Sequence, residues 1–297
     1  MSPETPAVEI AASQVEQPSH LSRLFFLWTA FLLLAAFSGT LRNIAGSWFD
    51  DSANMQHGML VPLVSAYIVW CKRGELRNIP IEPSRWGVLV TALAALIWIF
   101  STATQWIWLI RVTFPLALCG VILTLYGYRM LRALTYPLAM LLLMIEPPTF
   151  IYERLTLQLQ LLASKLGEIF LDAAGYSVLR DGNILEMVGE RLAVAEACSG
   201  IRSLLALIFM VVSYNYFFVP RNWVRAALLI AVVPTAILCN AARIFATGVV
   251  SQFNHELAHG MLHETFGFVG LIIGSACVLA IHYLVKRLWP YKAAEYD

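Results

Sequence analysis

The chain has 297 residues, 59% apolar and only 13% charged, with a mean hydropathy of +0.70. Soluble domains carry roughly 25% charged residues, so the composition excludes a water-soluble globular protein and points to an integral membrane protein. The net charge of +1 gives no sign of a nucleic-acid partner.

Residues 1–22 are polar and carry Pro, Ser and Glu, which predicts a disordered tail rather than a cleavable signal. A span needs about 20 mostly apolar residues to cross a ~30 Å hydrocarbon core. Candidate spans fall at roughly 24–40, 57–71, 86–103, 106–127, 134–150, 198–219, 225–247 and 265–286, the second of them short. The fold expected is an all-α polytopic membrane protein of about eight transmembrane helices. The membrane domain covers 23–290, and 291–297 form a short cytoplasmic tail.

Lys and Arg set the orientation. With the N-terminus inside, inner segments hold Arg23, Lys72, Arg73, Arg77, Arg85, Arg129, Arg132, Arg221, Arg225, Lys286, Arg287 and Lys292. The short outer loops hold only Arg42. Arg111 falls just inside the outer end of the fourth span, where it could snorkel outward. Both termini are therefore expected inside. Cys71, Cys119, Cys198, Cys239 and Cys277 all lie in or at the end of apolar spans, an odd count without loop pairs that argues against a disulfide framework.

The longest outer segment runs from Glu146 to Ala197. Glu146-Pro147-Pro148 ends the fifth span. Leu155, Leu159, Leu162, Leu166 and Ile169 then repeat at helical spacing, with Arg154, Gln158, Lys165, Glu168 and Asp172 on the adjoining flank. This amphipathic pattern suits a helix on the membrane surface or one packed against the bundle. Arg180-Asp181-Gly182-Asn183 is a hairpin-turn signal between Ser177-Val178-Leu179 and Ile184–Val188, and Gly189-Glu190 makes a second turn before Arg191–Ala195. A small extracytoplasmic β-hairpin element is expected directly before Cys198, as a peptide-binding edge or as a cap.

Three polar constellations follow. Glu196-Ala197-Cys198-Ser199-Gly200-Ile201-Arg202-Ser203 opens the sixth span. A helix start and Arg202, four residues on, both favour a thiolate at Cys198, and the competing reading is a cysteine that only packs there. Asn240-Ala241-Ala242-Arg243 lies near the outer end of the seventh span. An Arg within a span costs about 2.5–3.5 kcal/mol on insertion scales, so Arg243 either snorkels to headgroups or clamps a developing oxyanion.

The third is His255-Glu256-Leu257-Ala258-His259-Gly260-Met261-Leu262-His263-Glu264. His263 could serve Cys198 as acid and base, or His255-Glu256-x-x-His259 could be a zinc-protease signature. The plain alternative is a set of histidines at a wet helix start. The zinc reading finds no suitable third ligand. Gly260 and His263 miss the metzincin offsets. The only later Glu residues are Glu264 and Glu295, and no Asp follows until Asp297.

Together these segments resemble the exosortase/archaeosortase family of membrane-embedded cysteine transpeptidases. The resemblance rests on His57-Gly58-x-Leu60-Val61-Pro62, Gly182-Asn183-Ile184, Ala195–Ser203, Asn240-x-x-Arg243-Ile244 and His263-x-x-x-Gly267, and covers about residues 24–286. It implies a bacterial inner-membrane enzyme with its site on the outer face. That enzyme would cut exported proteins at C-terminal sorting signals of the Pro-Glu-Pro type and pass them to an acceptor such as a membrane lipid or glycan. By resemblance Cys198 is the nucleophile, Arg243 the transition-state stabiliser and His263 the general acid/base. No cofactor or metal is implied.

Arg202, Asn240, Ser199, Glu196 and His57 are candidates for the surrounding shell. Arg202 would tune the thiol and Asn240 would orient Arg243, or each packs a helix. Glu196 binds part of the motif or stays solvated, and His57 lines the site or caps a helix. The competing functional classes are the zinc membrane protease and a non-enzymatic transporter or scaffold.

Overall fold

A computed structural model describes residues 20–50, 53–194, 200–253 and 261–290, the side chains of 20–27, 193 and 261–264 excepted. Clustering of the backbone separates residues 1–39 from a larger unit, 40–297. Helix α1 (His20–Ala36) belongs to the first, and α2 (Ser38–Phe49) leads into the second. The larger unit continues with a 3-10 turn (Gln56–Met59), α3 (Leu60–Cys71), α4 (Arg73–Arg77), α5 (Arg85–Ala103), α6 (Ile107–Leu125), α7 (Tyr128–Ala133) and α8 (Thr135–Met140), which a second 3-10 turn extends to Met144. Then come α9 (Thr149–Ala173), strands β1 (Val178–Asp181), β2 (Ile184–Met187) and β3 (Glu190–Ala193), and helices α10 (Ile201–Phe218), α11 (Asn222–Ser251) and α12 (Met261–Leu288).

Five helices among the described residues are long and apolar enough to cross a membrane: α5, α6, α10, α11 and α12 from Thr265 on. Gln56–Cys71 and Thr135–Met144 are shorter apolar helices. These two short pieces run antiparallel against each other. Lys72 Nζ donates to the Ala133 carbonyl (3.2 Å), Ser65 Oγ to the Pro137 carbonyl (2.9 Å), and Trp48, whose ring lies against Gly58, to the Met144 carbonyl (3.2 Å). Such bonds satisfy polar groups that hydrocarbon would otherwise leave without a partner.

Arg111 does not snorkel. It is 7% exposed; its Nε donates to Asn43 Oδ1 (2.8 Å) and its Nη1 pairs with Glu146 Oε2 (2.9 Å). A guanidinium held by two partners inside the protein has no reason to reach for headgroups. The pair also brings Glu146 level with the second turn of α6, so the chain from Tyr128 to Glu146 retraces most of that helix. Breaking one side of a buried pair costs about 3–5 kcal/mol, against about 0–1 for an exposed one. Glu146→Gln is therefore expected to lower the melting temperature in detergent far more than Glu82→Gln, whose partner Arg129 is exposed.

Helix α9 is amphipathic, but its fully buried face is offset from the leucine stripe, of which Leu159 packs against the core and Leu166 is half-buried. Tyr152, Thr156, Ala163, Gly167 and Leu171 face inward, whereas Leu155, Leu162 and Ile169 are exposed. The reason is the closeness of α11. A Cβ on Gly167 would stand 2.6 Å from Ile244 Cγ2, and one on Gly248 would stand 3.0 Å from Leu171 Cδ1. Only small residues permit that approach, so the larger side chains are left pointing outward.

The strands form a three-stranded antiparallel meander in the order β1-β2-β3, with Gly182 and Gly189 in its turns at positive φ. Leu185, Met187, Leu192 and Val194 join Ala163, Leu171 and Ile244 in one core. Arg180 Nε bonds Glu168 Oε2 (2.8 Å) and ties β1 to α9. The sheet is thereby fixed to the end of α11 that carries Arg243.

Candidate active site

Helices α10, α11 and α12 form an antiparallel group, and α11 touches both neighbours. Four basic residues gather at one end, Arg221 and Arg225 where α10 passes into α11 and Lys286 and Arg287 in the last turn of α12, while Arg202 and Arg243 stand toward the other. A helix rises 1.5 Å per residue. Arg243 therefore stands about 32 Å from the start of α11, Gly200 about 27 Å from the end of α10 and Gly267 about 29 Å from Lys286. Each distance is about the thickness of the hydrocarbon core.

The Cys198 segment, residues 195–199, lies outside the described residues, and so do Glu196 and Ser199. Both of its attachments are described. Upstream, Asn183 holds Val194 twice: the Val194 N–H donates to the Asn183 carbonyl (2.8 Å) and Asn183 Nδ2 donates to the Val194 carbonyl (3.1 Å). Downstream, Gly200 adopts φ +83°, a conformation other L-residues resist, and a Cβ there would stand 2.9 Å from Asn240 Cγ. Five residues thus bridge from the sheet to the buried Asn240 on α11, one helical turn from Arg243.

His263 belongs to α12; its side chain, like His255 and His259, lies outside the described atoms. Its neighbour one turn on is informative. The Cβ position of Gly267 is 3.6 Å from Arg243 Nη1, so the guanidinium lies against the α12 backbone beside Gly267. The structure brings together Gly200, Asn240, Arg243 and Gly267, each belonging to one of the three motif pieces.

Arg202 and His57 lie elsewhere around α10. Arg202 Nε donates to Asn54 Oδ1 (2.8 Å), and Asn54 Nδ2 donates to the Tyr152 hydroxyl (2.6 Å). His57 hydrogen-bonds the Leu143 backbone, and its ring centroid is 6.0 Å from that of Phe209. Phe209 is about 13 Å along α10 from Gly200, so the described contacts of His57 are packing contacts. Gly58 beside it admits the Trp48 indole, since a Cβ there would stand 2.5 Å from Nε1. Sequence reasoning missed Asn54 and Tyr152. The one local sign was an isolated Asn, a residue type that tolerates the left-handed φ of +54° found at Asn54. Among the described residues no group of His, Cys, Asp and Glu could hold a metal ion.

A polytopic helical membrane protein with a small sheet packed at one end of a three-helix group is the class these elements define. Residues 48–280 match the family model described as transmembrane exosortase. The chain belongs to the transmembrane exosortase family. No curated protein and no solved structure matches it.

Proposed function

We propose that this exosortase is a cysteine peptidase and transpeptidase that cleaves C-terminal sorting signals of exported proteins and passes them to an acceptor. The carrying observation is the convergence on one stretch of α11. Gly200, two residues from Cys198, lies on Asn240, while Gly267, four residues from His263, lies on Arg243. The motif pieces of the sequence are thereby neighbours in space.

In this reading the Cys198 thiolate attacks the scissile carbonyl carbon and a C–S bond forms. Arg243 and N–H groups at the start of α10 hold the oxyanion. The C–N bond breaks as His263 protonates the leaving amine, leaving a thioester. The acceptor's nucleophile then attacks the thioester, gives its proton to His263 and releases the thiolate; water in that role gives hydrolysis. Asn240, packed on Gly200, sets the distance between the Cys198 segment and Arg243. Ser199 and Glu196 flank the thiol, where Glu196 would meet the substrate motif.

The membrane arrangement we propose has eight crossings in a bacterial inner membrane, with both termini inside and the site outside. The clustering of Arg221, Arg225, Lys286 and Arg287 at the far end of α10–α12 supports that sidedness. The antiparallel pairing of α3 with Thr135–Met144, and the level shared by Glu146 and Arg111, support counting the short helices as crossings. A substrate anchored by its own C-terminal helix would then present its motif at the depth of Arg243.

Co-expression with an exported protein ending in a Pro-Glu-Pro motif, an apolar helix and a basic tail tests this reading. Cleavage at the motif, unaffected by chelator, is expected. Activity abolished by chelator would favour the zinc class, and a partner left uncut would favour a transporter or scaffold. A reporter fused after Gly189 should read as outside the cytoplasm; an inside signal overturns the topology.

A further inference from the structure

We propose that the lipid bilayer is locally thinned along α3, where the apolar surface the protein offers to acyl chains is little more than half as tall as on α12. The inference rests on the reading of the short helices as membrane crossings and adds what the membrane does beside them.

Exposed apolar side chains mark where a membrane helix meets lipid. On α3 and the turn before it they are Met59, Leu60, Leu63, Tyr67 and Trp70. From Met59 to Trp70 is 11 residues, or about 17 Å of helix. On α12 the same kind of surface runs from Phe268 through Ile272, Leu279 and Tyr283 to Leu288, about 30 Å. A hydrocarbon core is ~30 Å thick. Helix α12 matches that thickness, and α3 falls short of it by about 13 Å.

Both ends of the short stretch are polar and pinned. At the basic end Lys72 Nζ donates to the Ala133 carbonyl (3.2 Å). Arg73 folds back, with Nη1 on the Trp70 carbonyl (2.9 Å) and its guanidinium over the Trp70 ring (4.3 Å). At the opposite end Glu146 pairs with Arg111 (2.9 Å), and the exposed Glu153 and Arg154 follow early in α9. The partner of α3 has the same length. Thr135–Met140 as α-helix and Leu141–Met144 as 3-10 helix together rise about 17 Å.

A stretch shorter than the core is accommodated by snorkelling of its flanks, by association with another chain, or by thinning of the bilayer. Tilt only shortens it further. Snorkelling does not lengthen α3, because Lys72 and Arg73 are held at the level of its last turn. Tyr67 and Trp70 are residue types that settle at the headgroups, and the cation on the Trp70 ring places the headgroup level at that turn. Thinning is the accommodation these contacts favour. The partner of this face is lipid whose chains shorten or bend beside it.

The test places single cysteines at Met59, Leu63 and Trp70 and, again 11 residues apart, at Val269 and Ala280 on α12, all exposed positions. The background carries Cys198→Ala, with Cys71, Cys119, Cys239 and Cys277 replaced by Ser. A maleimide that cannot cross membranes is applied to right-side-out and to inverted vesicles; it needs a thiolate, and hence water at the thiol. Met59→Cys is expected to label from outside only and Trp70→Cys from inside only, while Leu63→Cys, Val269→Cys and Ala280→Cys label from neither. Protection of both Met59→Cys and Trp70→Cys overturns the proposal, whether lipid of ordinary thickness or a second copy of the chain covers them. Labelling of Leu63→Cys shows a wet face, and labelling of Val269→Cys or Ala280→Cys shows a bilayer thin all round; either result also overturns it. Labelling of Met59→Cys and Trp70→Cys from the same side instead overturns the crossing reading, and this inference with it.

Discussion

Replacing Cys198 by Ala is expected to abolish cleavage of a co-expressed Pro-Glu-Pro-tailed protein, leaving the full-length precursor to accumulate in the membrane. Loss of a nucleophile that forms a covalent intermediate removes on the order of a thousandfold or more in rate. The size of the effect follows from the chemistry rather than from folding. The Cys198 segment is attached at both ends by neighbouring residues: Asn183 grips Val194, and Gly200 fits against Asn240. Truncating one side chain between those attachments leaves both in place, so protein level and melting temperature should stay near those of the parent. Cleavage that persists in Cys198→Ala would rule out the thiol mechanism.

Arg243 carries the second large effect. Deleting one oxyanion-binding donor typically costs about 10²–10³ in rate, and Arg243→Met is expected to fall in that range. Arg243→Lys should recover little, because an ammonium cannot reproduce the planar donor fork. Gly267 supplies a graded control that leaves the guanidinium chemically intact. A Cβ at Gly267 would meet Nη1 at 3.6 Å, an ordinary contact, so Gly267→Ala should keep most activity. Gly267→Leu needs room that Nη1 occupies and should displace the group, with a loss approaching that of Arg243→Met. Initial rates of precursor processing across the four variants measure this. Equal tolerance of Ala and Leu at Gly267 would show that the position of the guanidinium does not matter.

How far the sequence carried this account depends on which physical signal each feature leaves. The apolar runs of α5, α6, α10, α11 and α12 are long enough to be counted directly. The strands announced themselves through glycines at Gly182 and Gly189, where positive φ is required. Helix α9 was legible as a helix, yet its buried face was not. Periodicity marks the leucines, while close approach to α11 selects Gly167 and Ala163 and leaves Leu155 and Ile169 outside.

Arg111 was misread for a related reason. Hydropathy cannot tell a snorkelling arginine from one paired within the protein, and its partners Asn43 and Glu146 lie 68 and 35 residues away. Asn54 and Tyr152 left almost no trace, since what joins them to Arg202 is a chain of hydrogen bonds between distant segments. Cys198, Arg243 and His263 stand out in the sequence through the motif pieces around them, and of the three only the Arg243 side chain is described, beside Gly267.

The most direct measurement of the central claim is the covalent state of Cys198 during turnover. Parent protein purified from cells making a Pro-Glu-Pro-tailed substrate is digested and analysed by mass spectrometry, with and without hydroxylamine. The account predicts a substrate fragment joined to Cys198 through a thioester and released by hydroxylamine. Processing that proceeds with no adduct on Cys198 under conditions where the acceptor is withheld, and that survives Cys198→Ala, would contradict it.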